Sequence, residues 1–450
     1  MLNSARVPKK AALATLIVAV ASGIAQESSG LSFGFPDYTL AALHDASSPQ
    51  SQALNWLKLH PNLSSLDIQR QKQLFALASI YFSFNGDWWP PAERNNWMDY
   101  EVHECDWPHS TPPNSSIHCN NGLFVDLDLS NIPNLHGATP KEVCFLENLE
   151  SLSLDRNPDL GRKARTDTKL EGLLPTHLGE FTKLNRNPDL GRKERINTTL
   201  EDLLPTQLGE LTKLSYISIS GNTNLRGTLP SSIHYLTRLD SIWLDGNALT
   251  GSLAPQLFGL KNLRGLSLGY NNLTGTVPPA ISNLQRLMSL SLQGSAVLSG
   301  SIPSQIGRLT DLIWLDLSGT GISSTIPSEL GLLTALDVLK LDSTLLSGEI
   351  PKSLALIESL TKFDIGKTSL NGTIPLEMCK HHSRRIFFID CDEVNCPREC
   401  DLSEEHMSSI YDRICSCVDE EVSSTSSFTT ASFLSVLLMA MTGTYLGLGL

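Results

Sequence analysis

The sequence predicts an α/β solenoid, in which one short unit repeats along the chain and its strands form a single parallel sheet. One observation is a leucine that recurs at steps of 24 or 25 residues, at Leu214, Leu239, Leu263, Leu287, Leu312, Leu336 and Leu360. Another is the pattern that each copy shares, L-x-x-L-x-L-x-x-(N/S/T) followed by a leucine, a glycine and a proline. Since one copy cannot bury its leucines alone, copies with a fixed period must stack around a common core.

Alternation of leucine with polar residues predicts one short strand in each copy. In the copy that opens at Leu263, Leu266 and Leu268 lie on one face of the strand and Ser267 lies on the other. The position after the strand is amide or hydroxyl in every copy: Asn157, Asn222, Asn247 and Asn271, then Ser295, Thr320, Thr344 and Thr368. Both kinds of side chain can hydrogen-bond buried backbone groups. We expect a polar ladder whose chemistry changes midway without stopping.

A second motif, L-x-G-x-(I/L/V)-P, recurs in phase with the leucines. It reads Gly227-Thr-Leu-Pro230, Gly275-Thr-Val-Pro278, Gly300-Ser-Ile-Pro303, Gly348-Glu-Ile-Pro351 and Gly372-Thr-Ile-Pro375. The unit resembles the plant-type leucine-rich repeat of extracellular proteins, including receptor-like ectodomains and polygalacturonase inhibitors. The resemblance implies a horseshoe with its parallel sheet on the concave face, a helical N-terminal cap and a disulfide-rich C-terminal cap. We expect local irregularity where Ser324 replaces the glycine and where Pro255 lies one place late.

Two segments precede the repeats. Residues 1–25 have basic residues, an apolar run from Ala11 to Ala21 and small residues up to Ala25, which predicts a secretory signal peptide. Residues 26–122 contain a helical pattern, several tryptophans, and Cys105 and Cys119. This segment resembles the cap that plant-type repeat proteins place before their first repeat. A disulfide between the two cysteines would stabilise this segment.

The repeats occupy residues 123–378, about nine or ten copies, and include a tandem duplication. Residues 155–184 and 185–214 are identical at 22 of 30 positions. The second duplicate lacks a strand pattern, because Leu184 stands too close to Asn187. We therefore predict that part of 185–210 leaves the solenoid as a loop; an error in sequence assembly is the alternative.

Residues 379–421 form a cysteine-rich segment that resembles the C-terminal caps of the same family. In a secreted chain such a density predicts disulfides before metal, and His381 and His382 lack a partner pair at zinc-finger spacing. Cys144, in the first repeat, is our candidate for a buried free thiol. The cysteines expected in disulfides are Cys105, Cys119, Cys379, Cys391, Cys396, Cys400, Cys415 and Cys417.

Residues 422–450 predict attachment to a membrane. Ser423 and Ser424 begin a run of small residues, and a spacer leads to an apolar stretch from Phe433 to Leu450. This order is typical of a glycosylphosphatidylinositol-anchor signal, which we favour over a transmembrane tail that lacks a basic stop. With the signal peptide it predicts the secretory pathway and the cell surface. N-glycosylation is expected at Asn62, Asn114, Asn197, Asn272 and Asn371, of which Asn272 and Asn371 should lie in turns outside the coil.

Composition and motifs argue against catalysis and nucleic-acid binding. The formal net charge is -13, whereas nucleic-acid binders present basic faces. The segment Gly265-Leu-Ser-Leu-Gly269 matches a nucleophile elbow in letters only, because Ser267 lies in a repeat strand and not in a strand-to-helix turn. No metal, nucleotide or cofactor motif occurs. We expect no enzymatic activity, no cofactor and no metal.

The residues that alternate with the buried leucines should line the concave face and bind a ligand. Trp243 and Trp314 should be exposed there as contact hot spots about 14 Å apart, and the aspartates should give the face a negative field. The predicted ligand-binding residues are Tyr216, Trp243, Asp245, Gln293, Trp314, Asp316, Lys340 and Asp342, and the same columns continue to Lys362 and Asp364. We expect a cell-surface recognition protein that binds a protein, peptide or glycan and acts with a signalling co-receptor. The alternative is an inhibitor of extracellular cell-wall-degrading enzymes.

Overall fold

A computed structural model of the chain describes residues 31, 33–91, 96–107, 118–158, 160, 206–380, 386–389, 394–395 and 415–417. Four α-helices lie in these ranges: α1 Asp37–Leu43, α2 Pro49–Lys58, α3 Ile68–Ser83 and α4 Leu376–Lys380. The short 3-10 helices are Leu63–Ser65, Gly86–Trp88, Glu104–Asp106, Lys141–Phe145, Thr206–Glu210, Ser231–Tyr235, Pro255–Gly259, Pro279–Asn283, Ser304–Arg308, Ser328–Leu332 and Lys352–Leu356.

Within the described residues, twenty short strands make up the sheets. In chain order they are β1 His118–Asn120, β2 Leu123–Asp128, β3 Ser151–Ser153, β4 Tyr216–Ser218, β5 Arg226–Gly227, β6 Ser241–Trp243, β7 Ala248–Gly251, β8 Gly265–Ser267, β9 Asn272–Leu273, β10 Ser289–Ser291, β11 Ser299–Gly300, β12 Trp314–Asp316, β13 Gly321–Ser324, β14 Val338–Lys340, β15 Leu345–Glu349, β16 Lys362–Asp364, β17 Ser369–Thr373, β18 Ile386–Ile389, β19 Val394–Asn395 and β20 Cys415–Cys417.

The predicted solenoid with one long parallel sheet is confirmed. The main sheet has the order β1-β2-β3-β4-β6-β8-β10-β12-β14-β16-β18-β20, and every pair after the antiparallel β1-β2 hairpin is parallel. From β3 to β16 each strand of the main sheet is one rung of the stack, and its central apolar residue is buried in the core. Leu290 is fully buried and pairs with Leu266 on one side and Leu315 on the other.

The repeats also form two shorter sheets, which the leucine pattern did not predict. The L-x-G segments pair as β5-β7-β9 and as β11-β13-β15-β17-β19. Asn272 and Asn371 therefore lie on strands of these sheets, and the prediction that they lie in turns is wrong, although both side chains are exposed. Glycosylation at the five sequons stays a prediction.

Ser324 keeps the regular turn despite the lost glycine. Its φ is 76°, close to the 82° of Gly300 and the 85° of Gly348 at the same place in neighbouring rungs. The expected irregularity there is wrong, because the stack imposes the left-handed conformation on a residue that adopts it at a cost of about 1–2 kcal/mol. Pro255 opens the 3-10 helix Pro255–Gly259, where a proline has no N–H to leave unbonded.

The polar ladder behaves differently in its two halves. The Asn247 side chain donates to the Ile219 carbonyl of the preceding rung, and its oxygen accepts from the Asn222 N–H of that rung. In later rungs Thr320 and Thr344 donate only to carbonyls of their own rung, those of Leu317 and Leu341, each at 2.7 Å. The ladder between rungs therefore stops where the amides end, because a hydroxyl is too short to reach the preceding rung.

Helices α1 to α3 contact the first rung through buried polar bonds. The Gln73 side chain accepts from the Phe124 N–H at 2.7 Å, and buried Glu142 accepts from Thr39 and Gln50 at 2.7 and 2.8 Å. Cys105 and Cys119 form a disulfide in this part of the chain. This helical segment covers the core of the first coil, where the leucines would otherwise face water.

At the other end the main sheet extends beyond the expected last repeat at residue 378. Strands β18 and β20, which lie within the cysteine-rich segment, each add a rung by parallel pairing. The other predicted features of that segment, including the remaining cysteines, fall largely outside the described residues.

Strand β3 pairs directly with β4, so the main sheet passes over the duplicated segment. Ser151, Leu152 and Ser153 pair with Tyr216, Ile217 and Ser218. Both edges of β3 and of β4 are thus occupied by neighbouring strands. Residues 161–205 lie outside the described part of the chain, and the looping out of 185–210 stays a prediction.

Candidate ligand-binding face

The side chains opposite the leucine core form straight columns across the main sheet. The residue at the same register position of each successive strand forms the middle column. The alternation in the sequence predicts the same residues. The column runs Asp128, Ser153, Ser218, Trp243, Ser267, Ser291, Asp316, Lys340 and Asp364. Trp314 stands in the column beside it, next to Ser289 and Val338.

Trp243 is not an exposed hot spot. Only 9% of its surface is accessible, and a Cβ atom placed on Gly265 of the next rung would lie 3.1 Å from its Cζ2 atom. The indole therefore lies over the bare backbone of Gly265. The prediction of two exposed tryptophans is wrong for Trp243, while Trp314 is partly exposed.

Two aspartates in the column beside the middle one accept hydrogen bonds from the next rung. Asp245 accepts from the Ser267 hydroxyl at 2.5 Å and from the Gly269 N–H at 3.0 Å. Asp155 accepts from the Ser218 hydroxyl in the same way. These carboxylates are engaged inside the protein, so they contribute less to a negative surface field than the sequence suggested. Ser267 is buried, and its hydroxyl donates a hydrogen bond to Asp245. This bond gives the hydroxyl a structural role between two rungs.

A group of charged and aromatic side chains on this face lies on or just after three adjacent strands, β12, β14 and β16. We call Trp314, Lys340, Asp342, Lys362 and Asp364 the concave cluster; all five side chains are partly exposed. Below them Asp316 is 1% exposed, and its Oδ2 accepts from Lys340 Nζ at 3.2 Å. Asp316 therefore positions Lys340 and does not itself reach a ligand.

The cluster extends toward β18 through a cation–aromatic contact. Lys362 Nζ lies 5.1 Å from the centre of the Phe388 ring, within the range where a ring face attracts a cation. Phe388 was not among the predicted ligand-binding residues. The short apolar run Ile386–Ile389 was the signal that could have revealed another strand.

The remaining predicted residues lie apart from this cluster. Tyr216 lies on β4, four strands from β12, and burial raises the pKa of its phenol to about 12. Gln293 follows β10 and is partly exposed. The structure thus brings together Trp314, Lys340 and Asp342 from the predicted set and leaves Tyr216 and Gln293 outside.

Burial and mutual charge shift the titration of the cluster. Burial, reinforced by the charge of Asp342, raises the pKa of Asp364 to about 6. Burial opposes the charge of Lys340, but the carboxylates of Asp316 and Asp342 outweigh it and raise the lysine pKa. Burial, with repulsion from Lys340, lowers the pKa of Lys362. Between pH 4 and 7 the cluster therefore gains negative charge at Asp364.

Replacing Asp364 with asparagine should make the protein more stable at pH 7.5 and have little effect at pH 4. The pKa of this carboxyl is about 6, against an ordinary value of 3.8, so the folded state binds its proton more tightly. The protonated Asp364 carboxyl therefore contributes to the free energy of unfolding fully below about pH 4, and this contribution is lost as the pH rises through about 6. We expect a gain on the order of 1 kcal/mol at pH 7.5, after allowance for partial exposure, measured by chemical unfolding at both pH values.

The matched control is Asp311→Asn, since Asp311 is exposed on the loop before β12. This change should alter the free energy of unfolding by less than about 0.5 kcal/mol at either pH. Equal destabilisation by Asp364→Asn at pH 4 and pH 7.5 would show that the carboxyl acts as a hydrogen-bond acceptor and not through its charge.

The described residues contain no group of three or more His, Cys, Asp or Glu side chains arranged to hold a metal ion. Within the same ranges no helix is both long enough and apolar enough to cross a membrane. Cys144 is the free cysteine in this part of the chain and is buried, with its Sγ atom 3.1 Å from the Tyr38 hydroxyl.

A family model described as "Leucine Rich Repeat" matches residues 262–284 and 311–333. Each matched segment holds the leucine, strand and 3-10 helix spacing of one rung. The fold is a leucine-rich repeat solenoid. Its rungs have the plant-type L-x-G-x-(I/L/V)-P segment, which in the structure supplies the second sheets. No curated protein sequence matches the leucine-rich repeat chain as a whole or in part.

Several solved structures are similar to the leucine-rich repeat chain. The plant peptide hormone receptor RGFR1 in complex with RGF2 is 24% identical over 59% of this chain and 40% of that one, with a TM-score of 0.43. The ectodomain of the receptor kinase GASSHO1/SCHENGEN3 from Arabidopsis thaliana, in complex with CASPARIAN STRIP INTEGRITY FACTOR 2, is 27% identical over 60% and 30%, with a TM-score of 0.45. A plant ice-binding protein is 22% identical over 68% and 88%, with a TM-score of 0.46. The match thus spans less than half the length of the two receptor chains.

Proposed function

We propose that this leucine-rich repeat protein is an extracellular recognition protein that binds a protein, peptide or glycan on its concave face and has no catalytic domain of its own. The observation that carries the proposal is the concave cluster, where an indole and four charged side chains stand partly exposed on three adjacent rungs. Each of these three strands pairs with a neighbouring strand on both sides. The backbone therefore keeps the side chains at fixed positions, which lowers the entropy cost of binding.

The chemistry of the cluster supports a ligand with both polar and apolar groups. One rung carries Lys340 and Asp342, and the next carries Lys362 and Asp364. A cation and an anion therefore lie side by side on each of the two rungs. Trp314 adds a large apolar surface at the edge of this charged area, and tryptophan is enriched among residues that dominate binding energy. A uniformly acidic or uniformly basic ligand would meet a like charge at each rung.

Replacing Trp314 and Lys362 together, as Trp314→Ala with Lys362→Gln, should weaken ligand capture at least tenfold. Truncating a central aromatic contact often costs 2 kcal/mol or more of binding energy, which exceeds the 1.4 kcal/mol of a tenfold loss. The measurement screens the intact secreted chain, parent and variant, against arrays of glycans and extracellular peptides. Affinities of the hits are then compared.

The control pair is Tyr235→Ala with Lys352→Gln, one exposed aromatic and one exposed lysine at 3-10 helices outside the concave sheet. It should bind like the parent. Equal loss in both variants, or full binding by the Trp314 variant, would remove the concave cluster as the site. Trp243→Ala should instead lower stability, because the indole is nearly buried over Gly265.

The proposed location is the secretory route and the cell surface. The sequence features that support it are the signal-peptide pattern, the sequons and the apolar tail, all of which remain expectations. Release of the protein from intact cells by a phosphatidylinositol-specific phospholipase would support the lipid anchor, and retention would favour a spanning tail.

A further inference from the structure

A tyrosine projects from the edge of the solenoid where the chain leaves the main sheet. Tyr270 follows β8, has a left-handed φ of 51° and is 61% exposed. A Cβ atom placed on Gly294 of the next rung would lie 2.5 Å from its Cδ1 atom. One face of the ring therefore lies against the bare backbone of Gly294, while the other face is open to solvent.

The predicted glycosylation sequon Asn272-Leu-Thr274 begins two residues beyond Tyr270. Asn271 lies between the two and is buried, and its side chain donates to the Leu244 carbonyl at 2.8 Å. Side chains on either side of an inward-pointing residue face outward, and Tyr270, Asn272 and Thr274 are all exposed. The tyrosine ring and the acceptor amide therefore stand next to each other on the outside of the coil.

The next rung adds two apolar side chains beside the same sequon. A parallel bridge joins Thr276 to Ser299, and counting back two residues on each side places Val297 beside Thr274. Val297 is 60% exposed, and Ala296 before it is also exposed. These side chains thus lie one strand spacing, about 4.8 Å, from the backbone of the sequon. We call the three apolar residues around the sequon the edge patch: Tyr270, Ala296 and Val297.

We infer that Asn272 carries an N-glycan whose first N-acetylglucosamine packs on the edge patch, with one face of the sugar ring stacked on Tyr270. Glycosylation requires the secretory route proposed above. A pyranose ring has an apolar face of C–H groups and a polar rim, so it can cover exposed aromatic and aliphatic surface while its hydroxyls stay in water. Covalent attachment holds the sugar beside the ring at high effective concentration, so that even a weak contact forms.

The sequon at Asn371 gives a comparison within the same chain. Asn371 is exposed and lies on β17, in the same kind of short sheet, but the residue two places before it is Ser369. A sugar on Asn371 therefore meets no aromatic ring at the equivalent position, and it should extend into solvent.

The test measures the release of glycans by peptide-N-glycosidase from the intact native chain, purified from the secretory pathway of yeast. The enzyme cleaves the bond between the first sugar and the asparagine, and mass spectrometry follows each sequon. Each native rate is divided by the rate for the unfolded chain. A packed first sugar shields its bond, so Asn272 should be released about threefold more slowly than Asn371 on this scale.

Replacing Tyr270 with serine should raise the native release rate at Asn272 to that at Asn371. Serine suits this position, because Ser343 occupies the equivalent place three rungs later with a φ of 57°. The matched control is Tyr235→Ser, which removes an exposed tyrosine from a 3-10 helix. It should leave both release rates unchanged, and cooperative melting of both variants shows that they fold.

Melting temperatures supply a second readout. Tyr270→Ser should lower Tm by about 2 °C more in the glycosylated parent than in the Asn272→Gln background, since only the parent loses the stacked sugar. Equal release at Asn272 from parent and Tyr270→Ser, or equal losses of Tm in the two backgrounds, would overturn the inference. So would an unoccupied Asn272 in a chain whose other sequons carry glycans. Occupancy of no sequon would refute the secretory route, and this inference with it.

Discussion

Replacing Leu290 with alanine should lower the free energy of unfolding by about 2–5 kcal/mol. The side chain is fully buried and packs between Leu266 and Leu315 of the adjoining rungs. Truncation leaves a cavity that both neighbours line, so the adjoining rungs should loosen with it. Urea unfolding of parent and variant, followed by circular dichroism, measures the loss.

Leu332→Ala is the control for this prediction, because Leu332 ends a 3-10 helix and is 54% exposed. It should change the free energy of unfolding by less than about 0.5 kcal/mol. If Leu290→Ala unfolds at the same urea concentration as the parent, the assigned register of β8, β10 and β12 does not hold.

Replacing Asn247 with alanine should cost roughly 3 kcal/mol, much more than a change at the equivalent hydroxyl position. Asn247 satisfies the Asn222 N–H and the Ile219 carbonyl of the preceding rung, and the Leu244 carbonyl of its own. Each buried backbone group left without a partner costs about 1–3 kcal/mol. The comparison variant is Thr320→Val, which removes one bond to Leu317 within its own rung and should cost about 1 kcal/mol.

Unfolding of these two variants under the same conditions tests whether bonds between rungs set the difference. Thermal melts should place the Asn247 variant well below the Thr320 variant. Equal losses would mean that the amide contributes no more than a hydroxyl, and that the two halves of the solenoid are held together in the same way.

Much of the fold could be predicted because it depends on a single period. The alternation around Leu266, Leu290 and Leu315 fixes which residues face the core, and the structure confirms the resulting register. The additional rungs at β18 and β20 were missed because the cysteine-rich segment carries no leucine pattern. There Phe387 takes the core position, packed edge-on against Phe363 with ring centres 6.1 Å apart.

The site could be predicted less well, because exposure depends on what the next rung places alongside. Trp243 and Trp314 occupy equally polar surroundings in the sequence. Trp243 is covered because Gly265 leaves room for its ring, while Trp314 faces Ser289 and Val338 and remains partly exposed. Likewise Asp316 is buried by Lys340, a contact between rungs that are 24 positions apart in the chain.

Hydrogen exchange on the intact chain, with and without a ligand recovered from the arrays, tests the concave-face account most directly. Bound ligand should slow exchange in the peptides that contain β12, β14 and β16, at residues 312–318, 336–342 and 360–366. The 3-10 helices Ser304–Arg308, Ser328–Leu332 and Lys352–Leu356 of the same rungs should exchange at unchanged rates. Protection confined to those helices, with β12, β14 and β16 unaffected, would contradict recognition through the concave cluster.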